Sequence, residues 1–294
     1  MISHFQGVFP ALITPLTKEE KLNVSALETL LQFEMEKGAD GFYIGGATGE
    51  GLLLDIPERK KLCEKSIEFI GKEKTKIVHI TDINFRNTIA LAKHAEACGA
   101  DAISSIAPIY FQYDENDIYN YYKEIAQNVS IPLIIYYTAA AGVNMSTDLF
   151  CRLFEIDNIT GVKWTSSNYY ELIKLRERCP DANIFNGPDE MLVCGLSSGA
   201  DGGIGSTYNV MYPLIRSIYD HFCAGNMTEA LEQQKKADKI INAMLRYSVI
   251  PVCKMILEEM GIAVGHASFP MTRYSKEKRA VIKAELLAAG FSFE

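Results

Sequence analysis

Short apolar runs alternate with helix-like segments eight times along the first 225 residues of this chain. The apolar runs, each typical of a buried strand, are residues 7–16, 41–46, 76–83, 102–108, 133–137, 159–165, 183–187 and 202–206. The segments between them show helical spacing and cover residues 25–37, 58–70, 88–98, 116–128, 147–155, 169–179, 189–196 and 210–223. Because strands and helices alternate in this way, the sequence predicts an α/β protein.

Two α/β architectures accommodate strands that are buried on both sides. Eight strand and helix pairs suit a (β/α)8 TIM barrel, whose usual length is about 250 residues. A doubly wound sheet also buries its strands on both faces, so periodicity alone does not separate the two. The count of eight and the absence of a GxGxxG segment after the first run favour the barrel.

The rest of the chain has a different pattern, with no strand signal. It predicts three helices, at residues 228–247, 249–260 and 275–289. No linker-like segment interrupts the chain, so we expect the helices to pack on the barrel. The predicted division is therefore a barrel at residues 1–225 and a C-terminal three-helix extension at residues 226–294.

Near the start of the chain, Ser25 and Glu28 have capping-box spacing, which predicts that the first helix starts at Ser25.

Composition excludes several classes of partner. Lys and Arg total 29 against 37 Asp and Glu, a formal net charge of -8, so we expect neither nucleic acid nor a membrane as a partner. The 7 cysteines are scattered without a CxxC pair, and the first residues lack the basic segment of a signal peptide. These features predict a cytoplasmic protein with reduced thiols. The 5 histidines show no metal-binding spacing, so no metal is expected.

The loop after the second predicted strand has the sequence GGATGE at residues 45–50. In a barrel, reactive groups lie at the carboxyl ends of the strands and in the loops that follow them. Glycines let the backbone approach a ligand, and successive N–H groups can form an anion-binding nest. The loop therefore indicates a site for a carboxylate or phosphate, and an ordinary tight turn is the alternative.

A single lysine interrupts the sixth apolar run, ITGVKWT at residues 159–165. Strand alternation places Gly161, Lys163 and Thr165 on one face and Trp164 on the other. An inward ammonium group would be desolvated, which lowers the pKa of a lysine and frees its amine to act as a Schiff-base nucleophile. The alternative is a buried lysine that pairs with a carboxylate.

Tyr136 and Tyr137 end the fifth predicted strand, which precedes the strand that carries Lys163. A phenol next to the lysine could donate or accept a proton during the reaction. The two rings leave opposite faces of the strand, so only one of them can do so. The alternative for either ring is simple packing.

Two carboxylates follow the seventh predicted strand, Asp189 and Glu190 in NGPDE at residues 186–190. Carboxylate oxygens accept hydrogen bonds from a polyol, and the glycine-rich residues 202–209 after the eighth strand leave room for one. At the start of a helical segment, the same two residues are equally suited to capping.

Four segments, GGATGE, GVKWTS, NGPDE and GADGGIGSTYN, occur in the order and spacing of the N-acetylneuraminate lyase and dihydrodipicolinate synthase family. The chain resembles this family essentially from end to end. The resemblance implies a (β/α)8 barrel with a C-terminal helical extension, assembled as a homotetramer. It also implies that Lys163 forms a Schiff base with pyruvate or another 2-keto acid, without a cofactor. The backbone N–H groups of Ala47 and Thr48 would hold the carboxylate of the keto acid.

Within the family, the chain looks closest to the lyase branch. The positions with which lyases bind the polyol of a sugar acid match Thr165, Gly187, Asp189, Glu190 and Ser206. The synthase branch usually carries an arginine that holds a second carboxylate, and this chain has Ala140 there.

The resemblance also suggests residues for proton transfer. The fourth residue after Pro132 is Tyr136, which matches the catalytic tyrosine of the family. Tyr137 is the alternative, because the segment lacks the usual proline and is one residue shorter before the next glycine. Tyr110 matches a tyrosine that family members insert into a neighbouring subunit's site. Ala47 replaces the loop hydroxyl that normally relays a proton to the catalytic tyrosine.

The implied activity is that of a class I aldolase, which cleaves N-acetylneuraminate to N-acetylmannosamine and pyruvate. Lys163 would attack the C2 ketone, and Tyr136 would accept the proton of the C4 hydroxyl. One alternative is another pyruvate-dependent aldolase or synthase, such as dihydrodipicolinate synthase. A second is a sugar-acid-binding protein without turnover, which Ala47 suggests and the cost of burying Lys163 argues against.

Overall fold

The structure is a computed structural model that describes residues 5–138 and 141–293. Within these residues, eight strands form one parallel sheet. The strands are β1 (Gly7–Pro10), β2 (Gly41–Ile44), β3 (Thr75–His79), β4 (Ala102–Ile106), β5 (Leu133–Thr138), β6 (Ile159–Thr165), β7 (Asn183–Asn186) and β8 (Gly202–Gly205). Their order in the sheet is β1-β8-β7-β6-β5-β4-β3-β2, so each strand lies next to its neighbours in sequence.

Each strand is followed by an α-helix, and three more helices come after the last strand and its helix. The first eight are α1 (Val24–Glu36), α2 (Ile56–Ile70), α3 (Phe85–Cys98), α4 (Glu115–Gln127), α5 (Thr147–Phe154), α6 (Tyr169–Arg178), α7 (Leu192–Ser197) and α8 (Tyr208–Cys223). The other three are α9 (Met227–Met244), α10 (Val249–Glu259) and α11 (Lys276–Ala288).

Contacts on both sides of β1 close the sheet into a barrel. On one side β1 pairs with β8 in parallel, with Phe9 opposite Ile204. On the other side Ala11 forms a parallel bridge with Tyr43, and the Leu12 N–H donates to the Tyr43 carbonyl at 2.9 Å. A doubly wound sheet would leave its two edge strands apart. The predicted (β/α)8 barrel with a C-terminal helical extension is therefore confirmed.

The barrel interior is a packed core, separate from the larger core between the strands and the surrounding helices. Its buried members are Phe5, Phe9, Ala11, Tyr43, Ile77, Ala102, Ile134, Phe185 and Ile204. The rings of Phe9 and Phe185 meet across the interior with centroids 5.2 Å apart. These side chains come from inward positions on or next to every strand except β6, as expected for a filled barrel.

Gly161 allows β6 to approach β7 closely. A Cβ atom at this position would lie 2.0 Å from the carbonyl oxygen of Asn183, nearer than any non-bonded contact allows. Any larger residue would push the two strands apart. Since Gly161 precedes Lys163 by one inward position, it helps to set where the lysine enters the barrel.

The first helix starts earlier than the capping-box pattern predicts. Helix α1 begins at Val24, and the side chain of Asn23 caps it by accepting from the Ala26 N–H at 3.2 Å. Asn23 is held there because its own N–H donates to the Pro15 carbonyl at 2.9 Å. The predicted start at Ser25 is therefore wrong, since asparagine caps a helix as well as serine does.

Two of the three additional helices pack against the barrel helix α8, and the third packs on one of these two. Helix α9 lies along α8, α10 also contacts α8, and α11 packs on α9. The division at residues 225 and 226 falls between α8 and α9, and it stays a prediction. No single helix within residues 5–138 and 141–293 is long and apolar enough to span a membrane; only α9 and α10 together reach that length and composition, with a bend of 104° between them.

Candidate active site

Lys163 lies on the inward face of β6, as strand alternation predicts, and its side chain is buried with the residue 6% exposed. Its amine nitrogen lies 4.5 Å from the ring centroid of Tyr136 and 4.6 Å from that of Tyr43. No carboxylate of the described residues lies within ion-pair distance of this nitrogen. The alternative of a buried lysine paired with a carboxylate therefore does not describe this site.

The charge state of Lys163 follows from this environment. Burial lowers the pKa of the amine to about 8, and the negative charge of Asp189 only partly opposes the effect. About one tenth of Lys163 is consequently the free amine at pH 7, and about half at pH 8. A free amine is the nucleophilic form that attacks a carbonyl carbon.

The two tyrosines that end β5 point in opposite directions. Tyr136 is the register partner of Lys163, and its ring faces the amine inside the barrel. Tyr137 points outward, where its ring packs 4.8 Å from that of Trp164 and its hydroxyl donates to Asn144 at 3.0 Å. Burial raises the pKa of Tyr136. Of the two tyrosines that end β5, only Tyr136 is therefore placed to exchange a proton near Lys163.

The loop after β2 reaches the same end of the barrel as Lys163. Ala47 is exposed, whereas Thr48 is buried and its hydroxyl lies 2.6 Å from that of Ser206, after β8. The Thr14 hydroxyl donates to the Gly49 carbonyl at 2.6 Å and anchors the loop from the β1 side. Two of the sequence-predicted ligand residues, Thr48 and Ser206, are thus in direct contact.

Asp189 connects the loops after β7 and β8. One of its carboxylate oxygens accepts both the N–H and the hydroxyl of Thr207, each at 2.7 Å, and the residue is 8% exposed. Burial raises the pKa of Asp189, and the two bonds from Thr207 oppose the rise. Asp189 therefore holds the turn before α8. No side chain of the described residues caps the helical segment that Asp189 and Glu190 begin, so the capping alternative does not describe them, and Glu190 is exposed at the rim.

Thr165 and Gly187 lie against each other at the carboxyl ends of β6 and β7. A Cβ atom on Gly187 would lie 1.9 Å from the Thr165 hydroxyl oxygen, so a glycine is required there. This hydroxyl is buried, and it lies near enough to the Tyr136 phenol to lower the pKa of that phenol, against the larger effect of burial. Thr165 therefore belongs to the group of polar side chains around Lys163.

One sequence-predicted position lies away from this cluster. Tyr110 is 88% exposed, has a positive φ of 83° and stacks edge-on against Phe111 with centroids 5.0 Å apart. Within this one chain, Tyr110 does not join the residues around Lys163. Ala140, which distinguishes the chain from the synthase branch, lies outside the described residues.

The sequence analysis missed Tyr43, which is the second ring beside Lys163, and His79. The Tyr43 hydroxyl donates to Ser104 at 3.0 Å. The His79 ring centroid lies 6.2 Å from that of Tyr136, and burial lowers the pKa of His79 to about 3, so it is neutral. Strand parity could have placed both on the inward face, since Tyr43 belongs to the barrel core and His79 stands two residues after Ile77 of that core, but it could not have placed them beside Lys163. No three His, Cys, Asp or Glu side chains in the described ranges are arranged to hold a metal ion.

The fold and the site together define the class of this protein. It is a (β/α)8-barrel enzyme with a buried lysine between two tyrosine rings, at the end of the barrel where polar loops converge. Residues 4–289 match the dihydrodipicolinate synthetase family, and the chain belongs to that family. The family resemblance inferred from the sequence is thereby confirmed.

Individual relatives cover nearly the whole chain. N-acetylneuraminate lyase of Rhizobium meliloti (strain 1021) is 32% identical over 278 residues, which are 95% of this chain and 93% of the relative. N-acetylneuraminate lyase of Clostridium perfringens (strain 13 / Type A) is 34% identical over 280 residues, 95% of this chain and 97% of the relative.

Solved structures show the same similarity. The structure of CdNal from Clostridium difficile in complex with mannosamine has a TM-score of 0.94 and 32% identity, covering 98% of this chain and 100% of that one. The wild-type sialic acid aldolase of Ruminococcus gnavus has a TM-score of 0.93 and 30% identity, covering 97% of each chain.

Proposed function

We propose that this protein is a Schiff-base aldolase that cleaves N-acetylneuraminate to N-acetylmannosamine and pyruvate without a cofactor. The observation that carries the proposal is the buried Lys163 amine, with a pKa of about 8, facing Tyr136 at the open end of the barrel. The names of the relatives, N-acetylneuraminate lyase and sialic acid aldolase, support the choice of substrate.

The reaction begins on the open-chain form of the sugar acid. The free amine of Lys163 attacks the C2 ketone, and the phenol of Tyr136 gives its proton to the oxygen that leaves as water. This step leaves an iminium ion on Lys163 and a phenolate on Tyr136. The C3–C4 bond then breaks, its electrons move into the iminium to form an enamine, and the phenolate of Tyr136 takes the C4 hydroxyl proton. N-acetylmannosamine leaves as the aldehyde. Protonation of the enamine at C3 and hydrolysis release pyruvate and restore Lys163.

Four loops bind the two ends of the substrate. The backbone N–H groups of Ala47 and Thr48 hold the carboxylate, because exposed N–H groups in a tight turn favour an anion. The polyol binds to side chains and backbone from the loops after β6, β7 and β8, namely Thr165, Gly187, Asp189, Glu190 and Ser206. The buried hydroxyl of Thr165, next to the phenol of Tyr136, supports this assignment most directly.

Ala47 removes the hydroxyl that serves as a proton relay in the family, so another group has to take that role. Thr48 supplies the nearest remaining hydroxyl of the loop, and its contact with Ser206 at 2.6 Å fixes where that hydroxyl lies. We assign the relay to Thr48 or to a water molecule beside it. Ala47→Ser would then raise the turnover rate if Thr48 relays less well than a serine at position 47.

The assembly and its location are part of the same proposal. A homotetramer would allow the exposed Tyr110 of one subunit to enter the site of another subunit. The scattered cysteines are all unbonded in the structure, which suits reduced thiols in the cytoplasm.

Coupled reduction of pyruvate during incubation with N-acetylneuraminate tests the proposal. Borohydride reduction in the presence of pyruvate should also leave a permanent adduct on the peptide that contains Lys163. Trapping of pyruvate without cleavage would indicate an aldolase or synthase with another acceptor. A protein that binds the sugar acid but traps no pyruvate would be the non-catalytic family member.

A further inference from the structure

Glu50 ends the loop that follows β2, and its side chain has no exposure to solvent. Its backbone is left-handed, with φ 56° and ψ 25°. Residues other than glycine adopt this conformation only when their surroundings enforce it. Something other than the loop itself must therefore hold Glu50 in place.

The C-terminal extension supplies that support. Lys254 of α10 is 1% exposed, and its amine forms an ion pair with Glu50 Oε1 at 2.5 Å. The same amine donates to the His266 carbonyl at 3.0 Å, and the Ser268 N–H donates to Glu50 Oε2 at 2.6 Å. Both carboxylate oxygens of Glu50 are thus fixed from a part of the chain more than two hundred residues away.

The position of Glu50 determines the shape of the loop. Its N–H donates to the Ala47 carbonyl at 3.0 Å, and the next N–H, of Gly51, donates to the Gly46 carbonyl at 3.1 Å. These two bonds close the turn that carries Ala47 and Thr48. Any displacement of Glu50 would consequently reorient the N–H groups of that turn.

We propose that Glu50 and Lys254 are positioning residues, whose buried ion pair sets the loop to receive the carboxylate of the keto acid. Neither residue touches the substrate; both act through the turn at Ala47 and Thr48. The inference rests on the proposed function and goes beyond it by giving the C-terminal extension a part in substrate binding. Removing one partner leaves a buried charge unpaired, so the loop would have to move to solvate it.

The test compares two ketones that differ only at the group in question. Hydroxyacetone is pyruvate with its carboxylate replaced by a hydroxymethyl group. For wild type and Glu50→Gln, borohydride trapping on Lys163 gives the concentration of each ketone that half-saturates adduct formation. We expect this concentration to rise about 10-fold or more for pyruvate, which corresponds to about 1.4 kcal/mol. It should stay at the wild-type value for hydroxyacetone, because Lys163 itself is untouched.

Two further variants serve as controls for this comparison. Glu50→Gln/Lys254→Met leaves no unpaired buried charge, so it should fold even if a single variant does not, and it should bind pyruvate as weakly as Glu50→Gln. Glu259→Gln is the matched control, because Glu259 pairs with Arg279 at 3.1 Å and Lys283 at 2.8 Å and does not reach the loop. Glu259→Gln should show wild-type values for both ketones.

An unchanged half-saturating concentration of pyruvate in Glu50→Gln and in the double variant would overturn the inference. Equal weakening of pyruvate and hydroxyacetone would overturn it as well, since that pattern is general damage to the site. If wild type traps neither ketone, the Schiff-base function fails first, and the inference fails with it.

Discussion

At the scale of single residues, the site depends on a lysine that is costly to bury. Lowering the Lys163 pKa from 10.5 to about 8 corresponds to about 3 kcal/mol. The rings of Tyr43 and Tyr136 offset part of the cost, since an ammonium near an aromatic face is attracted to it. Burial of Lys163 therefore lowers the stability of the fold and leaves part of its amine uncharged near neutral pH.

Replacing this lysine should stabilise the fold in a pH-dependent way. The unfolded chain binds a proton at Lys163 up to pH 10.5, whereas the folded chain releases it near pH 8, so wild-type stability rises with pH between these values. Lys163→Met should therefore raise the free energy of unfolding by up to about 3 kcal/mol below pH 8. The gain should shrink as the pH approaches 10.5. Urea unfolding at pH 7 and at pH 10 measures it.

Lys76→Met is the matched control for this experiment. Lys76 is also buried, but its amine pairs with Asp101 at 2.8 Å. Lys76→Met removes this ion pair and the bonds that the amine donates to the Gly71 and Lys74 carbonyls, each at 3.0 Å, so it should destabilise the fold at both pH values. A stability gain in Lys163→Met that is equal at pH 7 and pH 10 would contradict the lowered pKa of Lys163.

The two tyrosines of β5 form a second matched pair of variants. Tyr136→Phe should lose about 10²-fold or more in kcat, because a positioned proton-transfer group contributes about that much. It should still trap pyruvate. Tyr137→Phe loses only an outward hydrogen bond to Asn144 and should be mild by comparison. If Tyr137→Phe is the inactive variant in steady-state assays, the assignment of Tyr136 is wrong.

The structure changes what is expected of Asp189, since its carboxylate already bonds Thr207 twice. Asp189→Ala should lower kcat/KM for N-acetylneuraminate by a factor that corresponds to a loss of about 1–3 kcal/mol of transition-state stabilisation. It should also destabilise the turn. Thr207→Ala removes one of the two bonds and leaves the carboxylate in place. It should lower stability but largely spare kcat/KM. Equal losses of kcat/KM in the two variants would show that Asp189 acts only through the turn.

At the scale of secondary-structure elements, the sequence predicted strand faces well and element ends less well. The period of two along β6 was enough to place Lys163 inward and Trp164 outward. Helix starts were harder, because Asn23 and Ser25 are both good caps and only the contact of Asn23 with Pro15 decides between them. Neighbours in space, such as Tyr43 beside Lys163, depend on how far each strand is shifted against the next, which periodicity does not encode.

Two helices bring together a pair of cysteines whose spacing in the sequence does not predict a contact. Cys151 in α5 and Cys179 at the end of α6 have sulfur atoms 2.9 Å apart. Exchange with a small disulfide should link them: two protein thiols lose two protons and two electrons, and the reagent is reduced to two thiols. The bond would close a loop of about thirty residues around β6 and stabilise the fold by about 3–4 kcal/mol.

Peptide mapping after oxidation should find Cys151 joined to Cys179, and thermal unfolding should shift upward. The reaction is best run at alkaline pH, because burial raises the pKa of Cys179 to about 12 and only a thiolate attacks a disulfide. Cys151→Ser is the control and should show no shift. A link between other cysteines would contradict the prediction. So would an oxidised protein that unfolds at the same temperature as the reduced protein.

At the scale of the whole molecule, two large aromatic side chains lie exposed in the loop after β4. Tyr110, with its positive φ of 83°, and its neighbour Phe111 are both large exposed rings. A bulky residue held in a strained conformation on the surface is more typical of a functional contact than of a free loop. This observation comes from the structure alone, and it agrees with a role for Tyr110 in a second subunit.

If Tyr110 completes the site of a neighbouring subunit, two different inactive variants should rescue each other. Lys163→Met subunits supply an intact Tyr110 but no nucleophile, and Tyr110→Phe subunits supply the nucleophile but not the phenol. In randomly mixed oligomers, about one quarter of the sites combine an intact Lys163 with an intact Tyr110 from the neighbour.

Co-expression with two affinity tags, followed by purification on both, isolates these mixed oligomers. Their cleavage activity per site should exceed the average of the two parent variants, and a single chain carrying both substitutions should remain inactive. Mixed oligomers no more active than that average, or a protein that sediments as a monomer, would show that Tyr110 serves no neighbouring site.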